Sequence, residues 1–141
     1  MATLNKVGMH APVYVPFSDS AAAGAQVDKV IFVSDDYYEL VEARCNHAVD
    51  GGAASGAMIT KATSGTTIAN GVDMIATIFA FSSGALTPQR RSAGAATLGT
   101  AANILLDPGD TVYLDYEGTL TGLLGVGGTL VLNRVRFTRD R

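Results

Sequence analysis

Apolar and polar positions alternate with period two over several short stretches, and glycine, proline and aspartate clusters separate them. In Thr111 to Tyr116, Val112, Leu114 and Tyr116 fall on one side and Thr111, Tyr113 and Asp115 on the other. That spacing is the signature of a half-buried strand. Asn103 to Leu106 precedes it as a strand, and Asp107-Pro108-Gly109-Asp110 joins the two as a tight turn. Proline fixes one central dihedral of such a turn, and glycine tolerates the positive one. Gly118 to Gly122 gives a second bend, Gly122 to Gly128 a glycine-rich connection, and Thr129 to Phe137 the final strand.

Upstream, Lys29 to Ser34 is short, β-branched and aromatic and predicts a strand, with Asp35-Asp36 as its turn. From Tyr37 to His47 the chain alternates again. Tyr37, Glu39, Val41, Ala43, Cys45 and His47 share one side, and Tyr38, Leu40, Glu42, Arg44 and Asn46 share the other. The small apolar residues of the first set are expected to face inward. Helix competes over Tyr38 to Arg44; the neighbouring turn and β-rich flanks favour strand. Ala57 to Thr63 reads as the next strand. Met74 to Phe81 is apolar on nearly every side, which periodicity alone cannot assign. It is read as a short helical turn crossing one end of the fold. Residues 87 to 98 are read as a further strand.

Seven or eight short strands at turn-marked intervals predict an all-β protein: an antiparallel β-sandwich or jelly-roll-like barrel with at most one short helix. Residues 1 to 26 are read as an extended N-terminal arm and linker, and residues 27 to 141 as the β-sandwich domain. Pro12 and Pro16 exclude a helix in the arm. Val13-Tyr14-Val15 can form a short edge strand there.

Composition sharpens this picture. A chain of 141 residues is long enough for one core. Charged residues make up only 16%, against about 25% in typical globular proteins. Small residues fill the gap, and such a surface suits contact with other chains. The net charge of -3 gives no global pull toward nucleic acid. Arginines nevertheless crowd the C-terminus at Arg134, Arg136, Arg139 and Arg141, with a second spot at Arg90-Arg91. No aromatic residues interleave with them to stack bases. No stretch has the length of a membrane span, and the N-terminus lacks a signal-peptide pattern. Nucleic acid and membrane are therefore not expected as partners.

Candidate chemistry is sparse. A lone cysteine, Cys45, excludes an intrachain disulfide, and its place in an alternating run predicts a small buried hydrophobe. His10 and His47 are isolated, which makes a weak metal case. Asp107, Asp110, Asp115 and Glu117 gather around one hairpin. They leave calcium open, yet the first two have an ordinary turn role and the others fall on a solvent-side strand face. No nucleophile elbow, phosphate loop or dinucleotide fingerprint is present. The expectation is no enzyme, no catalytic residue, no cofactor and no metal.

Taken in order, Asp28-Lys29-Val30-Ile31-Phe32-Val33, then Tyr38-x-Leu40 leading to Arg44 and His47, then Gly71-Val72-Asp73-Met74-Ile75 with Phe79, and finally Leu106-x-Pro108-Gly109-Asp110-Thr111-Val112-Tyr113-Leu114-Asp115-Tyr116 with Gly118-Thr119-Leu120-Thr121-Gly122-Leu123 form a motif set. Over residues 28 to 132 this set resembles the small β-rich virion structural proteins encoded beside the major capsid protein in tailed phages, including capsid decoration, or cement, proteins. The resemblance implies a protein made in the host cytoplasm that binds the outside of an icosahedral capsid. It also implies the major capsid protein as partner, self-association, often as a homotrimer with a dimer also possible, and no catalytic residues. The arm then acquires a role, because an extended segment can add a strand to a neighbour's sheet edge. Val13, Tyr14, Val15, Phe17, Arg134, Arg136, Arg139 and Arg141 become candidate partner contacts. A head-fibre, neck or tail-associated component and a carbohydrate-binding adhesion module remain the alternatives.

Overall fold

The computed structural model describes residues 4–92 and 98–139. Two antiparallel sheets enclose one core, as the strand pattern predicts. Among the described residues, ten strands run in chain order: β1 (Leu4–Ser18), β2 (Lys29–Val33), β3 (Tyr38–Asn46), β4 (Gly56–Ala62), β5 (Val72–Asp73), β6 (Phe79–Ala80), β7 (Gln89–Ser92), β8 (Leu105–Leu106), β9 (Thr111–Glu117) and β10 (Gly127–Arg139). One sheet has the order β1-β10-β3-β7, with β8 also pairing β3; the other has the order β2-β9-β4-β5, with β6 also pairing β4. Leu40, Leu106, Leu130 and Leu132 from the first sheet meet Ile59, Phe79 and Leu114 from the second, and all are fully buried. Each such side chain contributes about 1.5–3 kcal/mol by leaving water.

The segment read as an arm is a strand of this chain's own sheet from Leu4 onward. Leu4 pairs with Arg139 and Ser18 with Gly127, antiparallel throughout. Val13, Val15 and Phe17 turn toward the core, while Pro12, Tyr14 and Pro16 face solvent. Prolines fit here because β1 is an edge strand, where half the N–H groups have no ladder partner to lose. Phe17 stands opposite Gly128. A Cβ on Gly128 would lie 2.0 Å from the Arg44 carbonyl oxygen and 2.7 Å from the Phe17 ring. Glycine is thus required where β10 passes between β1 and β3, and the Phe17 ring occupies the space a side chain would have filled.

Two expectations change. Met74 to Phe81 is not helical. Val72–Asp73 and Phe79–Ala80 pair with β4, Met74 N–H donates to the Ile59 carbonyl at 2.7 Å, and Ile75 bridges Leu98. The run is apolar all round because it fills the end of the sandwich between these contacts. Arg91 secures its irregular middle: the guanidinium donates to the Thr77 and Ile78 carbonyls and lies 4.8 Å from the centre of the Phe79 ring. The helical turn among the described residues is instead a single 3-10 turn at Ile68–Asn70, in a loop. The strand read over 87 to 98 is realised as β7; residues 93–97 lie outside the described residues.

The second change is in β3. Ala43, Cys45 and His47 face inward as the alternation predicts, but so do Tyr38 and Leu40. Glu42 lies opposite Val131 and Leu40 opposite Leu132, so Val41 is one residue too many. This β-bulge reverses the inside–outside phase halfway along the strand.

Two outcomes follow from this packing. Gly128→Ala, which forces β10 away from β3, lowers stability by about 2–3 kcal/mol, measurable as a lowered urea midpoint. Cys45 is 1% exposed, and burial raises its thiol pKa to about 12. Because the thiolate is the reactive form, iodoacetamide at pH 8 leaves native Cys45 unmodified and labels it fully once denaturant is added.

Candidate functional site

The bulge at Val41 does more than repair the core. Without it, Glu42 would share the inward phase of Leu40. With it, Glu42 turns to the outer face of the β1-β10-β3-β7 sheet, where register sets the row Tyr14, Val131, Glu42, Ser92 across the four strands. The adjacent row is Pro16, Thr129, Arg44, Arg90. The two rows make one surface.

At its centre Glu42 is almost fully buried, and two arginines grip it. Arg44 donates from Nε to Oε1 at 2.7 Å and from Nη2 to Oε2 at 3.1 Å. Arg90 Nε ion-pairs with the same Oε1. The Arg44 guanidinium holds the Glu42 carboxyl below its ordinary range; Arg90 adds to this, and burial opposes it. A guanidinium carries five N–H donors. The side chains of Arg44 and Arg90 are 57% and 66% exposed, so both present an edge outward. Val131 stands between Tyr14 and Glu42 in the row and is nearly covered, while Tyr14 is 61% exposed. The Tyr14 phenol lies within the field of Arg44. The result is a sheet face bearing one exposed aromatic ring and two cationic edges. Tyrosine and arginine are the residue types that dominate binding energy at protein interfaces.

The other expected contact residues are placed as follows. Val13 and Val15 pack against the core, and Phe17 is buried within it, leaving Tyr14 as the solvent-facing member of that group. Arg134 is spent within the chain. Its Nε lies 3.3 Å from Asp36, its Nη2 donates to the Tyr38 hydroxyl at 3.3 Å, and the guanidinium covers the Tyr38 ring. Arg136 is exposed. Arg139 sits at the end of β10 opposite Leu4, and Arg141 lies outside the described residues. Glu42 and Val131 were not visible as site residues from sequence, because cross-strand register unites them.

Other polar candidates are placed as follows. Asp110 closes the turn predicted for it: its carboxylate accepts from Asp107 N–H, and Gly109 takes φ +92°. His47 is fully buried against Phe81, with Nε2 2.8 Å from an Asp50 carboxylate oxygen. Asp115 lies beside Thr60 and Asp73, and burial pushes its carboxyl above the ordinary range, with the charges of Asp28 and Asp73 adding to this. Among the described residues, no group of three or more His, Cys, Asp or Glu side chains is arranged to hold a metal. Among them, too, no helix is long and apolar enough to cross a membrane. No protein-family model, curated protein or solved structure matches the chain.

The depressed Glu42 pKa fixes a sign. Glu42 binds its proton less readily in the fold than in the unfolded chain. Its contribution is therefore complete above its ordinary value of 4.5 and is lost as pH falls through the lower folded value. Glu42→Gln flattens the acid limb of a stability-versus-pH curve, measured by urea denaturation from pH 7 down to pH 3; an unchanged acid limb means the clamp does not hold in solution.

Proposed function

We propose that this chain is a non-enzymatic virion structural protein that binds the outer surface of an icosahedral phage capsid as a homotrimer and stabilises it by bridging subunits of the major capsid protein. The Tyr14 platform carries this reading. An exposed aromatic ring on the same sheet face as two half-exposed guanidiniums suits a protein partner that presents carboxylates beside an apolar patch. The motif set over residues 28 to 132 supports the same reading by its resemblance to decoration proteins, and the low charge content agrees with a surface made for contact.

The physics of cementing asks little of each contact. A shell repeats its subunits, so a homotrimer engaging several of them gains avidity without any single strong site. Binding that favours the mature shell over its dissociated subunits stabilises the shell by mass action. A patch of about 800 Å² per partner is of standard size for specific association.

The test is co-sedimentation of the purified protein with expanded shells of the cognate major capsid protein, followed by electron microscopy. The wild-type chain decorates the shell at regular positions. Tyr14→Ala and Arg90→Ala each weaken binding by about 30-fold, the scale of an interface hot spot; Tyr14→Ala leaves the thermal melt unchanged, and Arg90→Ala, which removes one partner of Glu42, lowers it while the chain stays folded by circular dichroism. Density confined to one vertex or to the tail, or full decoration by both variants, overturns the proposal.

A further inference from the structure

The sheet face that carries Tyr14, Arg44 and Arg90 does not end at those residues. Beyond the row of Pro16, Thr129 and Arg44, register sets a third row of Ser18, Gly127 and Asn46. Gly127 raises no side chain there, and the surface sinks into a hollow of about 300 Å³ lined by Asn46, Ala48, Leu86, Gly125 and Gly127. The floor is low because its residues are small. Gly125 takes φ +72°, and a Cβ on it would lie 2.6 Å from the Ala48 Cβ. Next along the chain from Ala48 and Gly125, Val49 bridges Leu124, and both side chains are exposed.

Leu86 forms one wall of the hollow. It is 73% exposed and takes φ +63°, a left-handed conformation in which the Cβ of an L-residue crowds the carbonyl. The turn that holds it is nevertheless fixed. Leu86 N–H donates to the His47 carbonyl at 2.8 Å, and Thr87 N–H to the Gly84 carbonyl at 3.0 Å. Ala85 N–H donates at 3.0 Å to the same Asp50 oxygen that lies 2.8 Å from His47 Nε2. The fully buried His47 thus anchors the turn from below. A second carboxylate at this end, Asp19, is turned to the Ala21 N–H and the Tyr116 hydroxyl. The fold therefore keeps a strained backbone in place and with it an apolar side chain in solvent. Strain of this kind concentrates at ligand clamps.

We infer that the hollow and the Arg44–Arg90 pair together hold one extended segment of a protein partner, with its carboxylate on the guanidiniums and a branched aliphatic side chain, two or four residues away, in the hollow against Leu86. Charge and spacing select this occupant. Two guanidiniums share the single Glu42 carboxylate, which leaves positive charge and unused N–H donors at the surface. A carboxylate fits those donors. Alternate residues of an extended chain are about 6.6 Å apart and share one face, and the hollow begins one such step beyond Arg44, at Asn46. The inference deepens the capsid reading and rests on it only for the source of the segment, the major capsid protein.

NMR of the full chain with the peptide acetyl-Asp-Thr-Leu-Thr-Leu-amide tests the site with no capsid present. At millimolar concentration the peptide shifts the Arg44 and Arg90 Nε–H signals together with the Leu86, Gly125 and Gly127 amides. Asparagine in place of the peptide's aspartate removes the arginine shifts, and serine in place of both leucines removes the glycine shifts. No shifts with the parent peptide, or shifts that survive these replacements, overturn the inference. With expanded shells, Leu86→Asn weakens co-sedimentation about tenfold. It does not lower the thermal melt, because asparagine accepts the left-handed backbone more readily than leucine. A merely structural Leu86 gives the reverse, a lowered melt with binding intact. Wild-type shell binding by Leu86→Asn, with binding by Tyr14→Ala weakened, overturns the hollow and leaves the capsid reading standing. Peptide binding by a chain that ignores shells keeps the site and removes the capsid reading. Self-association of the wild type in sedimentation velocity that Leu86→Asn reverses means that a second copy fills the hollow, and the inference fails.

Discussion

Everything in this fold leans on the close approach of three strands at Gly128. There β10 runs between β1 and β3 with no room for a side chain, because the Arg44 carbonyl stands on one side and the Phe17 ring on the other. The glycine lets the backbones meet; the aromatic ring on the neighbouring strand restores the buried apolar surface that glycine lacks. This arrangement binds the beginning of the chain to its end. Such pairing is distant in sequence, so its loop-closure entropy must be met before the contact contributes. The anchor at Phe17 offsets that cost where the strands cross into the core.

Register irregularities then convert a regular sheet into a specific surface. The extra residue at Val41 lets Tyr38 and Leu40 fill the core at one end of β3 and Ala43 and Cys45 at the other, while Glu42 swings outward between two arginines. A second irregularity in β2, between Val30 and Phe32, leaves Val30 and Val33 on the outer face and turns Phe32 toward the core. The shifts between Lys6 and Pro12 lie on the edge strand β1. A bulge costs a ladder bond locally, and its return is the direction in which a neighbouring side chain points.

The platform spans the β1-β10-β3-β7 sheet: Tyr14 stands on the edge strand β1, Arg90 on β7 and Arg44 on β3, and the buried Glu42 holds the two guanidiniums together. An aromatic ring beside cationic edges suits a protein partner of fixed geometry.

Much of this was legible in the residues. Period-two alternation over Thr111 to Tyr116, the Pro108-Gly109 turn and the β-branched run at Lys29 to Val33 specified strands and an antiparallel sandwich, because local sterics and one-sided burial act over neighbouring residues. Cys45 was readable as core on the same ground. Met74 to Phe81 was not, since a run buried on all sides has no periodicity and its shape is set by β4 and Arg91. Nor was the fate of Val13 to Phe17, whose alternation is short and whose partner strand begins over a hundred residues later. Glu42, Arg44, Arg90, Val131 and Tyr14 come from four strands, and only register places them in adjacent rows. Local pattern thus determined which segments are strands and which of their sides are apolar. Tertiary structure decided which strands meet, where a bulge reverses a face, and therefore which polar residues share a surface, because those outcomes depend on backbone pairing between parts of the chain that carry no mark of one another.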